Sequence, residues 1–134
     1  MSLLDQIPTA KTISPTKHAM LDYGVVATFL GMGLRFRGRN NRAAALAFIN
    51  AGMVLGVSMA TDYPGGVWKR ISFKTHGMMD GVQAALAGIG PILFGFSRTP
   101  EAKPFYTQAA SEVGVIAATD WNAGQRDLTP LSVA

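Results

Sequence analysis

The chain has two histidines, and each stands four positions ahead of an aspartate: His18 before Asp22, and His76 before Asp80. On a helix that spacing puts both side chains of a pair on one face. Imidazole and carboxylate together suit zinc, iron or manganese, and histidine titrates near neutral pH, which also suits a proton relay. Two further aspartates, Asp62 and Asp120, close apolar runs and are followed directly by Tyr63 and Trp121. A carboxylate at a helix C-terminus faces the negative end of the macrodipole and calls for an answering cation or donor. His18, His76, Lys17 and Lys74 are the expected sources. The expectation is therefore a polar network or ion site of His18, Asp22, Asp62, His76, Asp80 and Asp120 at one rim. Tyr63 and Trp121 are expected beside it as interfacial anchors. Glu112 stands apart as an acid inside an apolar run, where an ionisable group is costly; it is either functional or held by Gln83 or Gln108.

Four apolar runs must position these groups. Ser14-Pro15 reads as an N-cap followed by a first-turn proline, opening a run to about Leu34. The basic turn from Arg35 to Arg42 follows, and the stretch from Ala43 to Thr61 then carries no charge at all. Asp62-Tyr-Pro-Gly-Gly66 breaks that helix. A third run, from about Thr75 to Ser97, contains Pro91, which is expected to kink it. The fourth, from about Pro104 to Thr119, is diluted by polar residues and reads as a helix shielded by the other three. Residues 1–14 read as an N-terminal segment, interfacial if helical, and 122–134 as a polar tail.

The runs are two copies of one unit. His18, Met20 and Asp22 recur as His76, Met78 and Asp80, and Gly56, Thr61, Asp62 and Gly66 recur as Gly114, Thr119, Asp120 and Gly124. Every one of these pairs is separated by the same stretch of sequence that separates His18 from His76, so no gap is needed. Each unit, about 15–66 and 73–124, is one helical hairpin. An even number of crossings returns the chain to its starting side, so the repeats are parallel about an axis along the membrane normal. The expected fold is all-α: a four-helix transmembrane bundle over residues 15–121, built from two tandem hairpins. Gly52-xxx-Gly56 and Ala110-xxx-Gly114 are matched small-residue motifs expected to draw the helices together.

These residues resemble the small integral membrane proteins with SPW repeats. Lys17-His-Ala-Met-Leu-Asp22, His76-Gly-Met-Met-Asp80 and Thr61-Asp-Tyr63 match the family's unit, and Gly90-Pro-Ile-Leu-Phe-Gly-Phe96 stands where its name-giving motif falls, with Ile92 in place of the tryptophan. The first unit has Met32-Gly-Leu-Arg-Phe36 there, without a proline. The resemblance implies a four-helix membrane domain and no assigned reaction.

Composition agrees with a membrane class. Of 134 residues 49% are hydrophobic and only 15% charged, against roughly 25% charged in ordinary soluble domains. The net charge of +4 is carried by basic residues between apolar runs with few aromatics, so basic loops at a lipid surface are expected and nucleic acid is not. Without cysteine there is no disulfide, thiolate site or cysteine nucleophile. No nucleophile with its base, phosphate loop or dinucleotide fingerprint occurs, so an enzyme is not expected, and the cofactor is unknown. The expected protein is an integral membrane protein of a prokaryotic cell membrane. It is a structural or accessory subunit of a membrane assembly, with the bilayer and other subunits or a second copy as partners. The alternative is an ion-binding, metal-binding or proton-relay protein using the duplicated His-xxx-Asp pairs. The amino terminus lacks a basic region and cleavage site, so no removed signal peptide is expected.

Overall fold

The computed structural model describes residues 11–123; the expected interfacial segment and polar tail lie largely outside them. Among the described residues the chain forms four helices, α1 (Pro15–Phe36), α2 (Asn41–Ala60), α3 (Phe73–Leu93) and α4 (Ala102–Ala118), and no strand beyond two isolated bridges. Three of the helices open on a side-chain cap. Ser14 accepts from the Lys17 amide, Asn40 from Ala43 and Ser72 from Thr75, each satisfying an otherwise orphaned N–H. Pro15 at the first turn of α1 costs no hydrogen bond there. Helix α4 opens on Glu101 without a side-chain cap.

Helix α1 packs along α2, α3 along α4, and α2 against α3. One core cluster gathers Phe29, Phe36, Leu46, Phe96 and Phe105 around alanines of α2, including Ala43, Ala44 and Ala47. A smaller cluster of Ala19, Tyr63, Phe73 and Trp121 forms where α1 and α3 begin. Close approach is set by glycines other than the expected ones. A Cβ on Gly33 would fall 2.6 Å from the Phe48 ring, and one on Gly90 would fall 2.5 Å from a Leu46 methyl. At Gly52, Gly56 and Gly114 a Cβ would meet nothing within 4 Å. The expected small-residue motifs thus face away from this chain's own helices, because the bulky partners sit elsewhere on the neighbouring faces.

Two other expectations are corrected. Pro91 lies inside α3, which ends shortly after it, at Leu93, short of the expected Ser97, and Gly95, at φ +76, turns the chain as the Phe96 amide bonds back to the Pro91 carbonyl. Helix α4 is not shielded on all sides, since it packs chiefly on α3 and buries only Ala102, Phe105 and Glu112.

The ends of the helices are laced together. After α2, the Asp62 amide donates to Ile71 O, and the amides of Arg70 and Ile71 donate to Ala60 O. After α4, the Asp120 amide donates to Ile13 O, and the Ile13 amide donates to Ala118 O. The strip before α1 is thereby pinned to the end of α4, and the strip before α3 to the end of α2.

By length and apolar composition, α1 and α2 could each cross a membrane. Large apolar side chains point outward on several elements, among them Leu34, Met78, Val82, Ile92, Leu93 and Val113.

Candidate metal centre

The helical spacing sets His18 above Asp22 on α1 and His76 above Asp80 on α3, and the packing turns the two pairs to face each other. His18 Nε2 lies 3.3 Å from Asp22 Oδ1 and 2.9 Å from Asp80 Oδ2. His76 Nε2 lies 3.1 Å from Asp22 Oδ2 and 3.1 Å from Asp80 Oδ1. One ligand atom from each of the four residues can be chosen so that all lie within 4.8 Å of one another. Both histidines are fully buried, Asp22 is buried and Asp80 is partly buried.

The far side of each imidazole decides what the near side can do. Thr61 Oγ1 donates its one proton to Val57 O at 2.6 Å, so toward His76 Nδ1, 2.7 Å away, it can only accept. Thr119 Oγ1 donates to Val115 O at 2.6 Å and meets His18 Nδ1 at 2.9 Å in the same way. Each Nδ1 therefore carries a hydrogen, and a neutral ring presents its Nε2 lone pair to the carboxylates. Two lone pairs and two carboxylates converge, and the convergence requires positive charge between them. His76 Nε2 is buried and faces both carboxylates at 3.1 Å without a well-aligned hydrogen bond to either.

The surroundings fix the rings. Trp121 stands edge-on to His18 with centroids 4.9 Å apart, its indole N–H donating to Ile116 O. Phe73 lies 5.4 Å from His18, and Tyr63 lies 5.2 Å from His76. The Tyr63 hydroxyl donates to Asp22 Oδ2 at 2.8 Å. Burial, with the Asp22 carboxylate facing it, pushes this phenol well above its ordinary range, so Tyr63 stays a donor.

Of the six rim residues expected from sequence, the structure brings together His18, Asp22, His76 and Asp80. Asp62 is exposed and lies 3.8 Å from Lys69, and Asp120 is half-buried and accepts from the Asn122 amide. The threonines just before them, Thr61 and Thr119, take the inner places. Tyr63 and Trp121 are 3% and 1% exposed, wrapped around the histidines rather than set outward as anchors. The signal for the threonines is the repeat itself, since Thr61 and Thr119 stand in the same relation as His18 and His76.

Glu112 sits apart in a second buried network. Its Oε1 accepts from Gln108 at 3.2 Å and Gln83 at 3.4 Å, while Gln83 also donates to Asn50 at 2.8 Å. Both partners expected for it are engaged.

No family model matches the chain, and neither does any curated protein or solved structure.

Proposed function

We propose that this chain is a small multi-pass membrane protein whose four facing side chains hold one transition-metal ion. The single observation that carries the metal reading is the pair of threonine-held imidazoles, each turning a Nε2 lone pair toward the same two carboxylates. A tetrahedron with bonds of about 2.0 Å has edges of about 3.3 Å. One ligand atom from each of the four residues lies within 4.8 Å of the others, so the side chains close in by at most about 1.5 Å along any edge to meet it. Imidazole with carboxylate suits zinc, iron or manganese. A threonine hydroxyl behind each ring is the kind of outer partner that fixes a ligating histidine.

The membrane arrangement is supported by two helices of spanning length, by the outward apolar side chains and by the low charge content. Tandem hairpins related by one constant offset, and the resemblance to SPW-repeat proteins, support four crossings with the centre at one rim. In an assembly, such a domain serves as a metal-carrying accessory subunit.

A second reading is favoured by one observation: each carboxylate spends one oxygen on each imidazole, and His18 Nε2 is hydrogen-bonded to Asp80 at 2.9 Å. Two imidazolium rings and two carboxylates would then form a charge-balanced lock that joins α1 to α3 without an ion. Metal analysis of detergent-purified protein separates the two. About one ion per chain, lost in an Asp22→Asn, Asp80→Asn variant that still folds, supports the centre; no ion retained, and none taken up from zinc or cobalt solutions, leaves the lock. Retention in membranes after alkaline carbonate washing tests the membrane assignment, and release into the wash overturns it.

A further inference from the structure

Between the four helices, against the His/Asp centre, lies a cavity of about 70 Å³. That is room for about two water molecules. His18, Asp22 and Asp80 line it, and so do Gln83, Ser111 and Glu112. Glu112 is 7% exposed, and while Oε1 takes both amide donors, Oε2 has no partner. A buried carboxyl oxygen without a donor is costly unless something in the adjoining space answers it.

Beyond the His/Asp residues, the cavity is polar on the α3 and α4 side only. Val54 is the repeat counterpart of Glu112 and Val25 that of Gln83, and both valines line the same space. The lock between the helix pairs uses the paired residues and leaves this one-sided polarity without a role. The lining contains three carboxylates and neither lysine nor arginine, so the space suits a hydrogen-bond donor and disfavours an anion.

We propose that this cavity seats a water-sized hydrogen-bond donor between Glu112 and the centre, so that a bound metal would keep one exchangeable position beside its four side-chain ligands. The inference rests on the metal reading above. The ligand class is water or another neutral donor of similar size, answered by the unpartnered Oε2 of Glu112. Four protein ligands alone make a closed, structural site, whereas an open position makes a site that can bind and polarise a small molecule.

The test uses the full chain in detergent, loaded with cobalt(II), and reads its visible spectrum during azide titration. The cobalt-to-protein ratio is measured first. The unaltered protein is expected to respond to azide only weakly, because Glu112 opposes the anion. Glu112→Gln, compared with the unaltered protein at the same cobalt ratio and at pH 9, where the carboxyl is ionised, is expected to bind azide roughly tenfold more tightly. Val54→Leu, which fills the cavity and leaves all four ligands in place, is expected to retain cobalt and lose the azide response. Spectra that azide leaves unchanged in both the unaltered protein and the glutamine variant overturn the proposal, since the coordination is then closed. Equal azide affinity in those two forms also overturns it, since Glu112 then does not face the ligand. Failure to take up cobalt overturns the metal reading itself, and this inference with it.

Discussion

Replacing Thr61 by valine removes one oxygen and keeps the shape of the side chain. In the structure that oxygen closes a relay: Val57 O receives its proton, and it receives the Nδ1 hydrogen of His76 at 2.7 Å. With valine the Nδ1–H is buried without an acceptor, because Thr61 and His76 are both fully buried. Leaving such a donor unsatisfied costs about 1–3 kcal/mol of stability. The ring can escape the cost by moving its hydrogen to Nε2, and its lone pair, now on Nδ1, then faces the valine and not the carboxylates. Outer partners of ligating histidines are worth about 10- to 100-fold in metal affinity, or about 1.4–2.8 kcal/mol. The assay is a competition titration of zinc against a chromophoric chelator in detergent, with thermal unfolding of the metal-free form alongside. Thr28→Val is the control, because Thr28 makes the same bond back to its own helix, to Gly24 O at 2.9 Å, on an exposed face with no histidine behind it. The expected result is a loss of zinc affinity of at least tenfold in Thr61→Val and none in Thr28→Val. Zinc affinity within twofold of the unaltered protein in Thr61→Val would refute the tautomer argument, whatever happens to stability.

Zinc binding should weaken as pH falls, since each Nε2 must be free of a proton to bind; once both imidazoles are protonated the apparent affinity drops by up to about 100-fold per pH unit, and a pH-independent affinity contradicts the ligand set. Tyr63→Phe leaves Asp22 Oδ2 without its phenol donor and should lower stability by about 1–2 kcal/mol in thermal unfolding. In spectrophotometric titration Tyr63 should stay protonated at pH 11, ionising only as the protein unfolds; the phenylalanine variant should lack that late step. A Cβ at Gly66 would overlap the Thr61 carbonyl, so Gly66→Ala must displace the loop that places Thr61 behind His76. It should therefore lower zinc affinity as well as stability, whereas Gly52→Ala, which meets nothing, should do neither.

The two His-xxx-Asp pairs are legible in the sequence because helical periodicity alone puts each on one face, and the repeat makes them equivalent. The partners at the far ends of α2 and α4 lie one position earlier than the sequence suggests. An acid after an apolar run reads as the group that turns inward to meet a histidine, but the helices stop at Ala60 and Ala118 and the chain leaves them extended. Thr61 has φ −81 and ψ 142, and Thr119 has φ −80 and ψ 136. In extended backbone successive side chains alternate. Thr61 and Tyr63 therefore turn inward with Asp62 outward, and Thr119 and Trp121 turn inward around Asp120. The strand-like period replaces the helical one at the one point where the site depends on it. The glycine motifs mislead for a related reason: spacing defines a stripe, but the bulky partners Phe48 and Leu46 determine which stripe is used.

The same extended strips make the centre a joint property of both hairpins. His18 belongs to α1, yet the threonine behind it follows α4; His76 belongs to α3, yet its threonine follows α2. The strip holding Ile13 pairs with the end of α4, and the strip holding Ile71 pairs with the end of α2. The first hairpin on its own would keep His18 and Asp22 but neither Thr119 nor Asp80, and would leave a buried imidazole without its Nδ1 acceptor. Burial of these groups is tolerable only when α1 through α4 are assembled, since each imidazole needs a carboxylate from its own helix and another from its counterpart. A metal ion bound at this point would bind the assembled form alone, and its binding free energy would then be felt as stability of the whole four-helix unit.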